Sequence, residues 1–221
     1  MNQEIFESVD NYVSGLFGDQ DDVLIATERS IIEANIPQIS VSPNQGKFLH
    51  VLARLCKASR ILEIGTLAGY STIWLARALP STGRLISLEL DPNHASVARK
   101  NIIRAGLDSV VEIRVGKALD SLAQIKAENM APFDMIFIDA DKPPYAEYFQ
   151  WALRLSKSGT LIVADNVIRD GKVLDKTNSD PMVQGAQRFN ELLASHPGVT
   201  ATIFQTVGAK EHDGMAIAVV K

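Results

Sequence analysis

The stretch FDMIFIDADKPPY, Phe133 to Tyr145, decides how the rest of the chain is read. Met135, Ile136, Phe137 and Ile138 form an unbroken apolar run, as a strand covered on both faces requires. Asp139, Asp141 and Lys142 follow at once, and Pro143 and Pro144 stop the strand. A core strand that ends in two acids and an amine predicts a central strand whose tip carries chemistry.

Similar runs recur from Arg60 onward: RILEIG (60–65), GRLISLELD (83–91), VVEIRVG (110–116) and GTLIVADNV (159–167). Segments that read as helices separate them, among them YSTIWLARALP (70–80), DPNHASVARKNIIRAG (91–106) and PPYAEYFQWALRLSKSG (143–159). The second opens with Asp91 as N-cap and Pro92 at the first helical position, and closes on Gly106. The alternation predicts a parallel sheet with helices on both faces. VTATIFQTVG (199–208) and DGMAIAVVK (213–221) are joined by AKEH, too short for a helical crossover. They are expected to pair antiparallel as a hairpin at the sheet's edge. Residues 1–58 carry no convincing strand, and Ser42, Pro43 and Gln45 mark the start of a helix. The expected organisation is a single domain over 1–221, with a helical cap (1–58) packed on an α/β core (59–221).

At 221 residues and 46% hydrophobic, the chain can bury a sizeable core. A net charge of −4 argues against a dedicated nucleic-acid surface. Cys56 is the only cysteine, which excludes an intrachain disulfide framework and a thiolate metal cage. The N-terminal stretch MNQEIFESVDNYVSGLFGDQDD is acidic, and no run approaches the ~20 apolar residues that span a bilayer. A soluble cytoplasmic protein without a membrane partner is expected.

Ligands of open α/β sheets bind beyond the carboxyl ends of the strands, where the strand order reverses. After the first strand comes EIGTLAGYS, Glu63 to Ser71, whose Gly65 and Gly69 allow a sharp turn and a close backbone approach. Leu67 stands where the dinucleotide fingerprint GxGxxG wants its second glycine, and Glu63 would repel a pyrophosphate. Glu89 ends the second strand, where an acid can accept ribose hydroxyls. A generic turn would explain the glycines alone; with both acids, a nucleoside with a cationic tail, S-adenosylmethionine, fits best.

ILEIGTLAGYS, LELD, IFIDADK and VADNV fall in an order and spacing that resembles the small metal-dependent O-methyltransferases, the catechol and caffeoyl-CoA family. The likeness runs from about Val41 to the C-terminus. It implies a Rossmann-like class I methyltransferase fold, with seven mostly parallel strands and an antiparallel C-terminal hairpin. It also implies that Glu63, Gly65, Thr66, Ser71, Glu89 and Ala118 bind the cofactor together with Gly69 of the same loop. The backbone at Val41 would close over it, and Asp139 and Asp141 would lie near its methionine end.

Asp165 and Asn166 end the fifth strand as Asp139 ends the fourth. If those strands are neighbours, three oxygen donors converge, which selects a hard cation, Mg²⁺ before Ca²⁺ or Mn²⁺. Helix caps or solvated strand ends would be the plainer explanation of these acids, but the resemblance implies that all three are metal ligands. Such a cation would acidify one of two vicinal phenolic hydroxyls and orient it toward the sulfonium methyl. Lys142 is the expected general base, with substrate orientation as the alternative; the resemblance implies the same base role. Tyr145 stands where the family often carries an aromatic residue, and Trp151 reads as core.

His50, His94, His196 and His212 are scattered without metal-ligand spacing, His94 as an exposed first-turn residue and His212 in the hairpin loop. Cys56 reads as a small buried hydrophobe. Arg169 replaces the tryptophan that plant caffeoyl-CoA enzymes carry near that position, so a free ortho-dihydroxy aromatic, flavonoid- or caffeic-acid-like, is expected rather than a coenzyme A thioester. A tRNA hydroxyuridine methyltransferase, a nicotinamide-dependent dehydrogenase and a non-catalytic cofactor sensor are the rival readings. Arg169, Lys172 and Lys176 are too few to make a basic surface for the first. Homodimerisation is implied by the resemblance, with the helical N-terminus a candidate interface.

Overall fold

The computed structural model describes residues 3–17, 21–209 and 211–221. Met1, Asn2 and residues 18–20 of the acidic N-terminal stretch, and Lys210 of the expected AKEH connection, lie outside the described residues. Three helices come first, α1 (Gln3–Phe17), α2 (Asp22–Glu33) and α3 (Pro43–Leu55). Strand and helix then alternate through β1 (Arg60–Ile64), α4 (Tyr70–Ala76), β2 (Arg84–Glu89), α5 (Pro92–Arg104) and β3 (Val111–Val115). The alternation continues with α6 (Ala118–Ala127), β4 (Phe133–Ile138), α7 (Tyr145–Arg154) and β5 (Ser156–Ala164). A short 3₁₀ turn (Lys172–Leu174), α8 (Pro181–Ser195), β6 (Val199–Gly208) and β7 (Glu211–Val220) complete the order.

Among the described residues the strands form one seven-stranded sheet in the order β3-β2-β1-β4-β5-β7-β6. The first five are parallel, and β7 returns antiparallel between β5 and β6. This is the Rossmann-like fold with an antiparallel C-terminal hairpin. The strand order reverses between β1 and β4, so a crevice is expected at their carboxyl ends.

Side-chain alternation divides the core. Ile61, Leu85, Met135, Phe137 and Val163 pack under α2, α3, α4 and α5, beside Leu24, Leu49, Ile73 and Ile102. Leu62, Ile64, Leu88, Ile136 and Ile138 pack under α6, α7 and α8, beside Leu122, Phe149 and Phe189. The N-terminal helices thus contribute to one of the two apolar layers. At α3 the Ser42 hydroxyl accepts the Gln45 N–H and the Gln45 side chain accepts the Ser42 N–H, a complete capping box with Pro43 in the first turn. Asp91 caps α5 through the N–H groups of Asn93 and His94.

Two boundaries differ from expectation. The helix expected over 143–159 ends at Arg154, because Ser156 already pairs with Phe133 in the sheet. Gly159, with φ 87, turns inside β5 instead of closing the helix. The helix expected to reach residue 80 ends at Ala76.

The sheet is clamped at its opposite end by Asp134. One carboxylate oxygen accepts from Ser59 N, Ser59 Oγ and Arg60 N at 2.8–2.9 Å, and the other lies 2.6 Å from Lys157 Nζ. Burial alone would raise this carboxyl, but the Lys157 ammonium and the Ser59 and Arg60 donors outweigh it and bring the pKa from 3.8 to about 2. The folded state therefore holds the ionised form more tightly than the unfolded chain does. That stability is present above pH ~4 and is lost as pH falls toward ~2. Asp134→Ala is expected to cost about 2 kcal/mol at pH 7, read from urea midpoints, and almost nothing near pH 2. An equal cost at both pH values would show that the contacts matter only as packing.

Candidate active site

The carboxyl ends of β1, β2, β4 and β5 meet through backbone hydrogen bonds. Gly65 N donates to Leu88 O at 2.9 Å, Asp139 N to Ile64 O at 2.8 Å, and Asp165 N to Ile138 O at 3.0 Å. At Gly65 (φ 101) a methyl group would lie 1.9 Å from the Asp139 carbonyl oxygen, so only glycine allows the two strand tips to touch. Leu67 also adopts a left-handed φ of 51 in the loop that leads to the N-cap Gly69 of α4.

Glu89 holds this loop. Its Oε2 accepts from Thr66 N (3.2 Å) and Leu67 N (2.8 Å), and its Oε1 accepts from Asp91 N (2.9 Å). Three N–H groups thus occupy most of the acceptor capacity of the carboxylate. His94, expected to be exposed, is half-buried, with Nδ1 3.6 Å from the same oxygen.

Glu63 points the other way, under α4. It is fully buried and accepts from Ser71 Oγ (2.6 Å), Thr72 Oγ1 (2.5 Å) and Ser87 Oγ (2.6 Å). Burial raises its pKa from 4.5 to about 7 against the three hydroxyl donors. In this arrangement the carboxylate braces Ser71 and the loop from behind. Thr66, also buried, meets Ser87 at 2.5 Å. Val41 is buried immediately before α3, and Ala118 is half-buried at the first turn of α6.

At the other side of the crevice, Asp139 is the first residue past β4, and Asp165 and Asn166 are the first two past β5. Neighbouring parallel strands bring Asp139 and Asp165 close enough for their charges to interact. Asp165 is 2% exposed; burial first, then the nearby Asp139 charge, pushes its carboxyl up to about 7, while Lys142 opposes the shift. Asn166 takes a left-handed φ of 56, which asparagine tolerates better than most residues. Among the described residues no three His, Cys, Asp or Glu side chains gather as a metal cluster. The expected ligand set differs from such a cluster in having an amide as its third member.

Lys142 is 3% exposed, far from the surface lysine that its place before a helix could suggest. Its Nζ lies 3.3 Å from Asp139 Oδ1 and 2.5 Å from Tyr145 Oη. Asp141 is exposed and accepts the Tyr148 hydroxyl at 2.7 Å. Trp151 is half-buried against the core, with Arg154 stacked on it.

Several supporting residues were not visible as such in the sequence. Gly185 lets α8 press on the lysine's backbone, since a methyl there would sit 2.1 Å from the Lys142 carbonyl oxygen. A glycine inside a helical pattern was the available signal. Asp213 of β7 accepts the N–H groups of Ile168 and Arg169, and His212 O accepts that of Asp170. These bonds hold a loop in which Arg169, Asp170 and Gly171 are all left-handed, with φ of 55, 57 and 75. His212 lies in β7, bonded to Gln205, rather than in a loop, and Cys56 is half-buried at the end of α3. His50 meets Trp74 O and His196 Nδ1 accepts Gly198 N, so neither enters the crevice constellation. A cavity of about 340 Å³ opens between α1, the start of α3 and the hairpin, walled by Phe48, Phe204, Val207 and Met215.

Comparison with known proteins identifies the family of the chain. The model of a family described as O-methyltransferase matches residues 18–219. A catechol O-methyltransferase of Niastella koreensis is 68% identical over the whole of both chains. The structure of an O-methyltransferase from Bacillus cereus in complex with SAH superposes with a TM-score of 0.97 at 54% identity, covering 99% of each chain. The O-methyltransferase TomG from Streptomyces achromogenes, involved in tomaymycin synthesis and solved with SAM, gives 0.97 at 48% identity, covering 100% of this chain and 99% of that one.

Proposed function

We propose that this chain, which belongs to the O-methyltransferase family and takes its methyl group from S-adenosylmethionine, methylates one hydroxyl of a catechol-type phenol with the help of a divalent cation. The observation that carries this reading is buried Lys142 against Asp139, with buried Asp165 feeling the charge of both and Asn166 next to it in the chain, beside the glycine loop. The name of the Niastella relative, a catechol O-methyltransferase, supports the acceptor class.

The donor set fits a hard cation. Burial first and then the charge of Asp139 push the Asp165 carboxyl up, Lys142 opposes the shift without cancelling it, and a bound cation would relieve that cost. Asp139, Asp165 and Asn166 would hold Mg²⁺, with Ca²⁺ or Mn²⁺ as alternatives. When bound, the cation supplies acidification and fixed placement of a chelated hydroxyl. The loop from Glu63 to Ser71, with Glu89, Val41, Ala118 and Asp141, would hold S-adenosylmethionine, and Asp139 would serve both ligands. Lys142 would take the proton from the reacting hydroxyl at its Nζ.

On α1, Val9, Tyr12 and Leu16 are exposed at helical spacing, and none of the helix's residues is buried. That uncovered apolar stripe supports a homodimer that includes α1. A single domain over the whole chain is the companion proposal.

Lys142→Ala is expected to lower kcat about 10²–10³-fold at neutral pH. Partial recovery is expected at higher pH, where a phenol of pKa ~10 ionises unaided. A pH–rate series measures this; a loss of equal size at every pH would assign Lys142 to orientation. A methyl-transfer screen of catechols against their monohydroxy analogues, with Mg²⁺ or EDTA, tests the whole reading. Equal turnover of both acceptor classes in EDTA would overturn it.

A further inference from the structure

Tyr145 has an apolar ring and a hydroxyl placed in a polar node. The ring packs edge-on against Phe189, with centroids 5.7 Å apart, and the residue is fully buried. The hydroxyl oxygen lies 2.5 Å from Lys142 Nζ and 3.3 Å from Ala140 N, both donors. It also lies 3.2 Å from the carbonyl oxygens of Ile138 and of Asp165, either of which can accept its hydrogen bond. A neutral phenol with two lone pairs and one proton is saturated by two donors and one acceptor. The anchor is therefore fixed to the ends of the two strands that carry Asp139 and Asp165.

An amine nitrogen has four directions. In Lys142 one is the bond to Cε, one runs to Tyr145 Oη and one to Asp139 Oδ1. We infer that Tyr145 is a positioning residue for proton transfer: together with Asp139 it fixes two free directions of Lys142 Nζ and reserves the third for the acceptor hydroxyl. An amine on a four-carbon stem would otherwise sample several rotamers, and misdirected lone pairs do not accept the proton. The inference rests on the reading of Lys142 as the base.

The test compares catechol methylation by the wild-type chain, Tyr145→Phe, Lys142→Ala and the double variant, each with and without added ethylamine. Phenylalanine keeps the ring packing, and thermal unfolding and SAH binding report whether the fold is intact. Tyr145→Phe is expected to lower kcat about 10–100-fold, with KM changed less than about threefold. In the Lys142→Ala background the same change is expected to cost under about threefold, because the group it positions is gone. Ethylamine is expected to restore part of the turnover of Lys142→Ala but not of the double variant. Equal losses in both backgrounds, or equal amine rescue, would overturn the inference. Wild-type turnover by Lys142→Ala would overturn the base reading and this inference with it, a result distinct from either of those. If Tyr145→Phe unfolds, 3-fluorotyrosine placed at 145 alone keeps the hydroxyl and weakens it as an acceptor. A several-fold fall in kcat at constant KM is then expected, and an unchanged kcat would refute the role.

Discussion

Gly65→Ala is expected to unfold or nearly unfold the protein and to abolish binding of S-adenosylmethionine. Two costs add. A φ of 101 is strained for any residue with a Cβ, worth about 1–3 kcal/mol. The new methyl would also stand 1.9 Å from the Asp139 carbonyl oxygen, and that atom belongs to backbone held by Ile64 O through Asp139 N. Relief requires the tips of β1 and β4 to separate at the strand-order reversal, where the crevice lies. Together these exceed about 4 kcal/mol, a large share of the ~5–15 kcal/mol that keeps a domain folded. Gly106→Ala is the control, since Gly106 (φ 67) has nothing within 4 Å of an added Cβ and only the backbone strain applies. Thermal unfolding and calorimetric titration with SAH measure the difference. A Gly65→Ala protein that melts and binds like the wild type would show that the strand tips part easily.

Asp165→Ala is expected to lower turnover by about 10³-fold or more while leaving S-adenosylmethionine binding largely intact. Asp165 and the cofactor loop are built from different strands, and Glu89, Thr66 and Leu67 close their own hydrogen-bond set without it. Stability gives a second readout. Burial and the Asp139 charge raise the Asp165 pKa from 3.8 to about 7. The folded state then binds that proton more tightly than the unfolded chain, so this group removes stability as pH climbs from ~4 to ~7 in cation-free solution. Asp165→Ala should flatten that dependence. Conversely, Mg²⁺ at about a hundred times its Kd should stabilise the wild type by about 2.7 kcal/mol and the variant by almost nothing. Full activity of the variant, or of the wild type in EDTA, would sink the proposed role of the cation.

The fold was readable because its signals are local. The apolar runs that form β1 to β5, the Ser42–Gln45 capping box and the short connection before β7 each depend on residues close in sequence. Boundaries failed where distant pairing overrode a local signal: Gly159 looks like a helix stop, but Ser156 is claimed by Phe133 across the sheet. The site was readable in residue type and less so in direction. Glu63 and Glu89 were both expected at the cofactor, but their own hydrogen-bond partners were not foreseeable, because β1 is covered on both faces and alternation does not say what waits on each. Ser87, a lone hydroxyl in a buried strand, supplied one of Glu63's three donors. Tyr145 could be placed as an aromatic, while its hydroxyl network joins atoms from β4, β5 and Lys142 that only the tertiary structure assembles. Asp134, Gly185 and Asp213 were missed for the same reason: each acts on backbone far away in sequence.

The left-handed run from Arg169 to Gly171 bears on how new substrates can be acquired. Its course is dictated by main-chain bonds to Asp213 and His212, contributed by another strand, and not by the side chain at 169. Shape and chemistry are thereby uncoupled at the position where family resemblance puts the acceptor ring. Arginine, tryptophan or a small polar residue could be exchanged there at similar backbone cost, with Asn166 undisturbed three positions earlier. Acceptor preference in such a scaffold can drift one residue at a time while the reacting centre stays constant.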